Sequence, residues 1–455
     1  MTLKKSISGI RGTIGGPIGT NFTPIDIVEC VSAYGWWLKK KSERPRVVIG
    51  RDGRSSGEMV SSMASNCLRF LGIDVIDLDY STTPTVELAV SEFEADGGII
   101  FTASHNPKQW NALKFLNKKG EFISAEAGEE ILNFIDDKAM IFADIDALGS
   151  YSLHKNYFNT HIEAILKLEV IDTEQIKEKK FHVLIDAINS TGALAIPALL
   201  DALNCTYEII NGEVNGEFAH NPEPLPQNLT DLIEKTKSSK ADLGIAVDPD
   251  VDRLALVSEN GSYFGEEYTL VAAADFILSK KVGNTVSNLS SSRALSDITK
   301  KYGGEYFASK VGEVNVVNAM KENNAVIGGE GNGGIIYPEL HYGRDALVGI
   351  AFILNLMAQR GKNLSEIRES YTDYTIIKNK MDLTSPEELE GIFQKLKTIF
   401  ADERLNESDG LKIDFKEGWV HMRMSNTEPI IRIYAEAEHE GTAQILVEKV
   451  MNQIT

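Results

Sequence analysis

The chain has 455 residues, too many for one ordinary domain and enough for three or four. A hydrophobic fraction of 43% and a charged fraction of 25% are ordinary for a soluble globular protein. The formal net charge of −20 argues against a nucleic-acid partner, which needs basic patches, and makes any anionic substrate depend on local cations.

No apolar run approaches the length of a membrane span, and Met1 to Ser6 leads into Gly-rich polar sequence without a signal-peptide core. Three cysteines, Cys30, Cys67 and Cys205, fit neither a disulfide framework nor a zinc site, so a reducing cytoplasm is the expected setting.

In chain order, the first predicted strand is Val47-Val48-Ile49, followed by a polar loop from Gly50 to Ser56 and a helical pattern from Glu58 to Leu71. A second strand, Gly97 to Phe101, opens into Thr102-Ala103-Ser104-His105-Asn106-Pro107. Ser104 therefore stands in a strand-exit loop, where nucleophiles are often displayed. A lone Ser is usually a turn residue. A Ser-His-Asp hydrolase is a sharper rival, but the Gly-x-Ser-x-Gly elbow is missing and His105 is badly placed as base for its own neighbour.

Val183 to Ile185 and Leu243 to Val247 predict two further strands, the latter running into Asp248-Pro249-Asp250-Val251-Asp252-Arg253. Carboxylates at alternate positions of an extended loop point to one side and can converge on a hard cation such as magnesium. The bland alternative is a solvated acidic turn. Against it, the run is pressed between two apolar strands, where three carboxylates repel unless a cation compensates. An EF-hand fails because Arg253 stands where the loop requires Gly.

A helical pattern covers Tyr268 to Lys280, and Ala325 to Ile327 predicts a strand leading into Gly328-Gly329-Glu330-Gly331-Asn332-Gly333-Gly334. Such a loop lets backbone approach a ligand closely but is neither a Walker A loop nor a dinucleotide fingerprint. The last stretch reads helix (386–400), strands near 410–415, 419–423 and 430–435, then helix (441–454). Within it, Arg423-Met424-Ser425-Asn426-Thr427-Glu428-Pro429 offers a guanidinium fork and small donors suited to phosphate. Spacing alone does not separate that from an ordinary turn.

The expected fold is α/β: three similar α/β domains with mixed, largely parallel sheets and a smaller C-terminal α+β domain. The domains are expected at 1–150, 151–257, 258–371 and 372–455.

Taken together and in order, Ser-Gly-Ile-Arg-Gly (8–12), Thr-Ala-Ser-His-Asn-Pro (102–107), Asp-Pro-Asp-Val-Asp-Arg (248–253), Gly-Glu-Gly-Asn-Gly-Gly (329–334) and Arg-Met-Ser-Asn-Thr-Glu-Pro (423–429) resemble the α-D-phosphohexomutase superfamily over nearly the whole chain. The resemblance implies four domains around a central cleft and an enzyme that interconverts hexose 6-phosphates and 1-phosphates. It implies a phosphoserine at Ser104, and a magnesium held by that phosphoserine with Asp248, Asp250 and Asp252. Arg11, His105, Lys114 and Arg253 match active-centre positions. Lys114 is expected to transfer protons, with burial and neighbouring cations lowering its pKa. Lys310, Glu313, Glu330 and Asn332 match sugar-binding loops. Arg423, Ser425, Asn426 and Thr427 match the loop for the non-reacting phosphate. A sugar 1,6-bisphosphate is the implied intermediate and activator, and the implied partners are small sugar phosphates.

One departure stands out. Many relatives end the sugar loop with Ser-Gly-His, where this chain has Asn332-Gly333-Gly334. His341 is a candidate replacement. The loop form, with Gly343-Arg344-Asp345-Ala346 after it, resembles the archaeal-type phosphoglucosamine mutase branch, which points to glucosamine phosphate ahead of glucose and mannose phosphates. A metal-dependent phosphatase, a bisphosphate synthase and a sugar-phosphate binder without turnover are the competing classes.

Overall fold

The alternation of strand and helix is realised in the computed structural model, which describes residues 2–6, 9–135, 140–382, 386–425 and 430–454. Two units divide the chain: Met1–Thr269 with Asn332–Ser365, and Leu270–Gly331 with Glu366–Thr455.

The first unit holds a seven-stranded sheet made of β1 (Lys4–Ser6), β2 (Gly9–Thr13), β3 (Arg46–Arg51), β4 (Asp74–Tyr80), β5 (Gly97–Phe101), β6 (Trp110–Leu116) and β7 (Tyr151–Leu153), in the order β1-β2-β6-β5-β3-β4-β7. β3 runs parallel to β4 and β5, while β6 is antiparallel to β5, so the sheet is mixed. Side chains alternate across a strand. Val47, Ile49, Ile99 and Phe101 therefore pack with Val60, Ala64 and Leu68 of the helix Gly57–Phe70. Val48 and Ile100 face the other way, onto Val86, Ala89 and Val90 of the helix Thr83–Glu92. Burial on both faces explains why β3 and β5 read as continuous apolar runs.

A four-stranded sheet follows: β8 (His182–Asp186), β9 (Thr206–Ile210), β10 (Leu243–Val247) and β11 (Leu254–Ser258), in the order β11-β10-β8-β9. β10 is parallel to β8 but antiparallel to β11, with Val247 opposite Leu254. The acidic segment between them is therefore a hairpin connection, and both flanking strands are buried throughout.

In the second unit, β12 (Asn284–Asn288), β13 (Tyr306–Ser309) and β14 (Ala325–Glu330) are parallel, in the order β13-β12-β14. The chain then re-enters the first unit as β15 (Gly334–Ile336) and the buried helix Ala346–Arg360. Returning to the second unit, it makes an antiparallel sheet of β16 (Thr375–Asp382), β17 (Arg404–Asn406), β18 (Leu411–Asp414), β19 (Gly418–Met424) and β20 (Ile430–Ala437), ordered β16-β20-β19-β18-β17. Ala443, Leu446, Val447 and Val450 of the helix Glu440–Met451 cover it. The edge strands β16 and β17 escape the sequence reading because both are polar and lack a buried apolar run. The architecture is multi-domain α/β with mixed sheets and a C-terminal α+β part, as expected. Among the described residues, no helix is long and apolar enough to cross a membrane.

Candidate active site

Ser104 lies three residues beyond the end of β5 with φ at 48°, a left-handed conformation uncommon outside glycine. That turn aims the hydroxyl at the acidic hairpin, where Oγ donates to Asp248 Oδ2 at 2.9 Å. His105 Nδ1 stands 3.3 Å from the same oxygen. Burial, reinforced by the charge of Arg253 and also by Lys114 and Arg344, drives the His105 pKa down to about 2, so its imidazole is neutral.

Arg54 is a residue that the sequence reading passed over. It is fully buried and pairs with Asp52 at 3.0 Å. Its guanidinium donates to three carbonyls of the nucleophile loop, Ser104, Asn106 and Pro107 at 2.6, 2.7 and 2.8 Å, and to that of Trp110 at the start of β6 at 2.9 Å. Asp52 also accepts from Thr102 Oγ1, which in turn accepts from the Ser104 N–H. The fork of five donors is what allows one side chain to hold a whole loop.

The carboxylates of Asp248, Asp250 and Asp252 converge, with ligand atoms within 4.8 Å of one another, and all three are buried. The convergence arises from a turn rather than the extended loop expected: Val251 takes φ at 61°, strained for a β-branched residue, and its N–H bonds Asp248 O. Each carboxylate is already gripped. Asp248 Oδ1 accepts the N–H groups of Asp252 and Arg253. Asp250 Oδ2 accepts Thr83 Oγ1 at 2.7 Å and Lys114 Nζ at 2.9 Å. Asp252 Oδ2 accepts Arg344 Nη2 at 2.6 Å. Asp250 Oδ1 and Asp252 Oδ1 remain, buried and without a hydrogen-bond partner among the described residues. Burial and its two acidic neighbours hold the Asp248 pKa well above the carboxylate range. Two orphaned buried oxygens and a strained charge balance fit a hard divalent cation.

Lys114 corrects an expectation. Burial pulls its pKa down, but Asp250 and Asp252 outweigh that and raise it, so the ammonium is held charged. Arg253 lies 3.9 Å from both Asp248 and Asp252, and its Nε is buried without a hydrogen-bond partner among the described residues. Arg11, on β2 beside the strand carrying Lys114, is half-buried, and burial lowers its pKa.

His341 is not the substitute histidine. Its ring is held 3.3 Å from Glu87 on one side and 3.3 Å from Asp345 on the other, in a buried cluster with His161. Asn332 turns its Oδ1 back onto the Gly334 N–H at 3.2 Å.

In the second unit, Glu330 at the end of β14 accepts from Asn288 Nδ2 and the Gly312 N–H. It thereby gathers the loop carrying Lys310, with Glu313 opening the helix after it, to the carboxyl ends of the parallel strands, where α/β sheets bind ligands. Arg423 is buried with its Nε unpartnered among the described residues, and Arg432 stands directly opposite it on β20. Ser425 Oγ accepts from Arg432 Nε at 3.4 Å. Like charges facing across strands destabilise unless an anion joins them. Arg432 was missed because cross-strand register is not visible in sequence. Asn426 and Thr427 lie outside the described residues.

The phosphoglucomutase/phosphomannomutase descriptions match in order: α/β/α domain I at residues 3–141, domain II at 157–261, domain III at 265–374 and the C-terminal domain at 376–453. A phosphoglucomutase/phosphomannomutase of Thermococcus kodakarensis is 36% identical over 448 residues, covering 97% of this chain and 96% of the relative. A phosphoglucosamine/phosphogalactosamine mutase of Sulfurisphaera tokodaii is 32% identical over 446 residues, covering 96% of each. A phosphoglucomutase/phosphomannomutase family protein from Burkholderia thailandensis shares the fold, with a TM-score of 0.86 at 24% identity over 99% of this chain and 97% of that one.

Proposed function

The chain belongs to the phosphoglucomutase/phosphomannomutase family of α-D-phosphohexomutases, and we propose that it exchanges glucosamine 6-phosphate and glucosamine 1-phosphate through a phosphoryl group on Ser104. The observation that carries this reading is the Ser104 hydroxyl, 2.9 Å from Asp248, beside two buried carboxylate oxygens that have no hydrogen-bond partner among the described residues. The sugar preference is supported by the Gly-Glu-Gly-Asn-Gly-Gly and Gly-Arg-Asp-Ala sequences and by relatives named as phosphoglucosamine mutases. Glucose and mannose phosphates are the rivals.

In the first transfer the phosphorus–Oγ bond of phosphoserine breaks as phosphorus bonds to a free sugar hydroxyl, whose proton is balanced by the one the departing Ser104 oxygen takes up. The bisphosphate formed turns within the site, and its other phosphate returns to Ser104. Magnesium held by Asp248, Asp250 and Asp252 would supply charge neutralisation to the transferring group. Arg253 and Arg11 add fixed cations, and positioning with electrostatics does most of such catalysis. Lys114, kept protonated by Asp250, suits a proton donor to the departing Ser104 oxygen. His105 donates or accepts as a neutral ring.

By segment, 1–150 would carry the phosphoserine loop, 151–257 the metal loop, 258–371 the sugar loops and 372–455 the distal phosphate loop. Lys310, Glu313, Glu330 and Asn332 would bind sugar hydroxyls. Arg423 and Ser425, with Arg432, would hold the non-reacting phosphate. A sugar 1,6-bisphosphate would recharge Ser104 after the intermediate escapes. The three cysteines are unpaired, in keeping with a cytoplasmic setting.

Phosphorus NMR tests the reading. The 1- and 6-phosphates of glucosamine, glucose and mannose are offered with magnesium and catalytic bisphosphate. Interconversion fastest for glucosamine is expected. Inorganic phosphate without isomerisation would make the protein a phosphatase, and no turnover of any sugar would make it a binder.

A further inference from the structure

Gly334 sits at the start of β15 with no left-handed φ to require glycine. Its reason is steric. A Cβ there would lie 2.3 Å from Arg344 Cδ and 3.0 Å from Cγ. The chain leaves β15, makes the 337–343 excursion and returns antiparallel, with Ile336 bridged to Arg344 and the Asp345 N–H bonded to Ile335 O. The stem of Arg344 thus fills the space over residue 334, and its guanidinium ends on Asp252 Oδ2.

The return is pinned from both sides. Asp345 caps the helix Ala346–Arg360 through the Leu347 and Val348 N–H groups, and its other oxygen meets His161 at 2.9 Å. The Ala346 N–H bonds Val251 O, in the acidic turn itself. At Gly343 a Cβ would collide with Glu87. Arg344 is consequently 8% exposed and has little freedom to leave Asp252.

We propose that Arg344 is a specificity-determining residue for the metal. By occupying Asp252 Oδ2 it leaves Asp252 only Oδ1 to offer, as Lys114 and Thr83 leave Asp250 only Oδ1. On the third carboxylate the backbone N–H groups occupy Asp248 Oδ1, leaving Oδ2, the oxygen that faces Ser104 and accepts its hydroxyl. A site restricted to single oxygens from three carboxylates suits magnesium, which takes six ligands in tight octahedral geometry. It handicaps calcium, which takes up to eight at longer distance and readily uses both oxygens of a carboxylate. Arg344 thereby acts through Asp252 as a positioning residue, and selectivity follows from denticity.

This inference rests on the reading of the three aspartates as metal ligands. Titration calorimetry of the dephosphorylated full-length protein with magnesium and with calcium, separately, tests it. Arg344→Met keeps the stem over Gly334 but frees Asp252 Oδ2. Its ratio of calcium to magnesium affinity should rise about tenfold or more, since a second oxygen becomes available to the larger ion. Arg344→Lys, which keeps a cation there, should shift the ratio by less. A folded Arg344→Met with a ratio within about twofold of wild type overturns the inference. Should that variant fail to fold, Arg344→Gln carries the same measurement and the same criterion. Asp252→Asn separates the two layers. If it leaves both affinities unchanged, the ligand reading fails; if it weakens both while Arg344→Met leaves the ratio alone, only the denticity control fails.

Discussion

The Arg54 guanidinium donates to the carbonyl oxygen of Ser104 at 2.6 Å, so the nucleophile is held through its own backbone by a residue fifty positions earlier. The same side chain reaches two more carbonyls of that loop and the carbonyl of Trp110 on β6, and it neutralises Asp52. Arg54→Met should destabilise the fold by about 3–5 kcal/mol, because it strands a buried carboxylate and orphans the carbonyls. Arg54→Lys keeps the charge and loses the fork. It should fold, yet lose about 100-fold in kcat through misplacement of Ser104. Urea denaturation and steady-state kinetics on the two variants check both halves.

The metal hairpin makes a second prediction. Asp250→Asn removes charge from the site, should weaken magnesium binding, and should lower kcat by about 100-fold or more while the fold persists. Excess chelator should stop wild-type turnover reversibly. Calorimetry with kinetics reads both, and full activity in chelator would count against the assignment.

In the C-terminal sheet, Arg423 and Arg432 face each other across β19 and β20, and Arg432 donates to Ser425. A phosphate between two guanidinium groups gains charge-assisted hydrogen bonds of about 1.5–3 kcal/mol each. Arg423→Lys or Arg432→Met should therefore raise KM for the sugar phosphate about 10–100-fold and increase the bisphosphate lost to solution. Assay of released bisphosphate alongside kinetics decides it. A wild-type profile for Arg423→Lys would assign that loop another task.

The His341 cluster predicts a pH dependence of stability rather than of catalysis. Burial alone would lower the His341 pKa, but the hydrogen bond to Asp345 and the Glu87 carboxylate 3.3 Å away prevail and raise it to about 10. A raised pKa stabilises fully below the unfolded value near 6.5 and is lost as pH climbs through the folded one. Asp345 is buried too, but the charge of His161 leads the opposing effects that depress its pKa, so its contribution is present above about 4 and lost in acid. His341→Gln should thus cost most between pH 4 and 6.5. The deficit relative to wild type should shrink by roughly 1.4 kcal/mol per pH unit from there towards pH 10. Denaturation curves at pH 6 and pH 9 measure it, and a pH-independent deficit would contradict the pairing.

Much of this site was legible in the sequence because it lies in strand-exit loops whose flanks are unmistakable apolar runs. Ser104, the three aspartates and Lys114 come from contiguous motifs, and the structure brings all five together. Arg54, Arg344 and Arg432 were not legible for a shared reason. Each acts across a strand pairing or a chain reversal, namely β3 beside β5, residue 344 beside β15, and β19 beside β20. Their partners are remote or set by register, which no local pattern encodes. His341 misled for the converse reason: proximity to a motif in sequence did not predict that Glu87 and Asp345 would claim its ring.

The most direct test of the phosphoserine mechanism is intact-mass and peptide mapping of the protein mixed with a sugar 1,6-bisphosphate and magnesium, then chased with unlabelled hexosamine monophosphate. A single phosphoryl group should appear on Ser104, disappear on the chase at a rate no slower than kcat, and never form in Ser104→Ala. Turnover at the wild-type rate by Ser104→Ala, or a phosphoryl group mapped to any other residue, would contradict it.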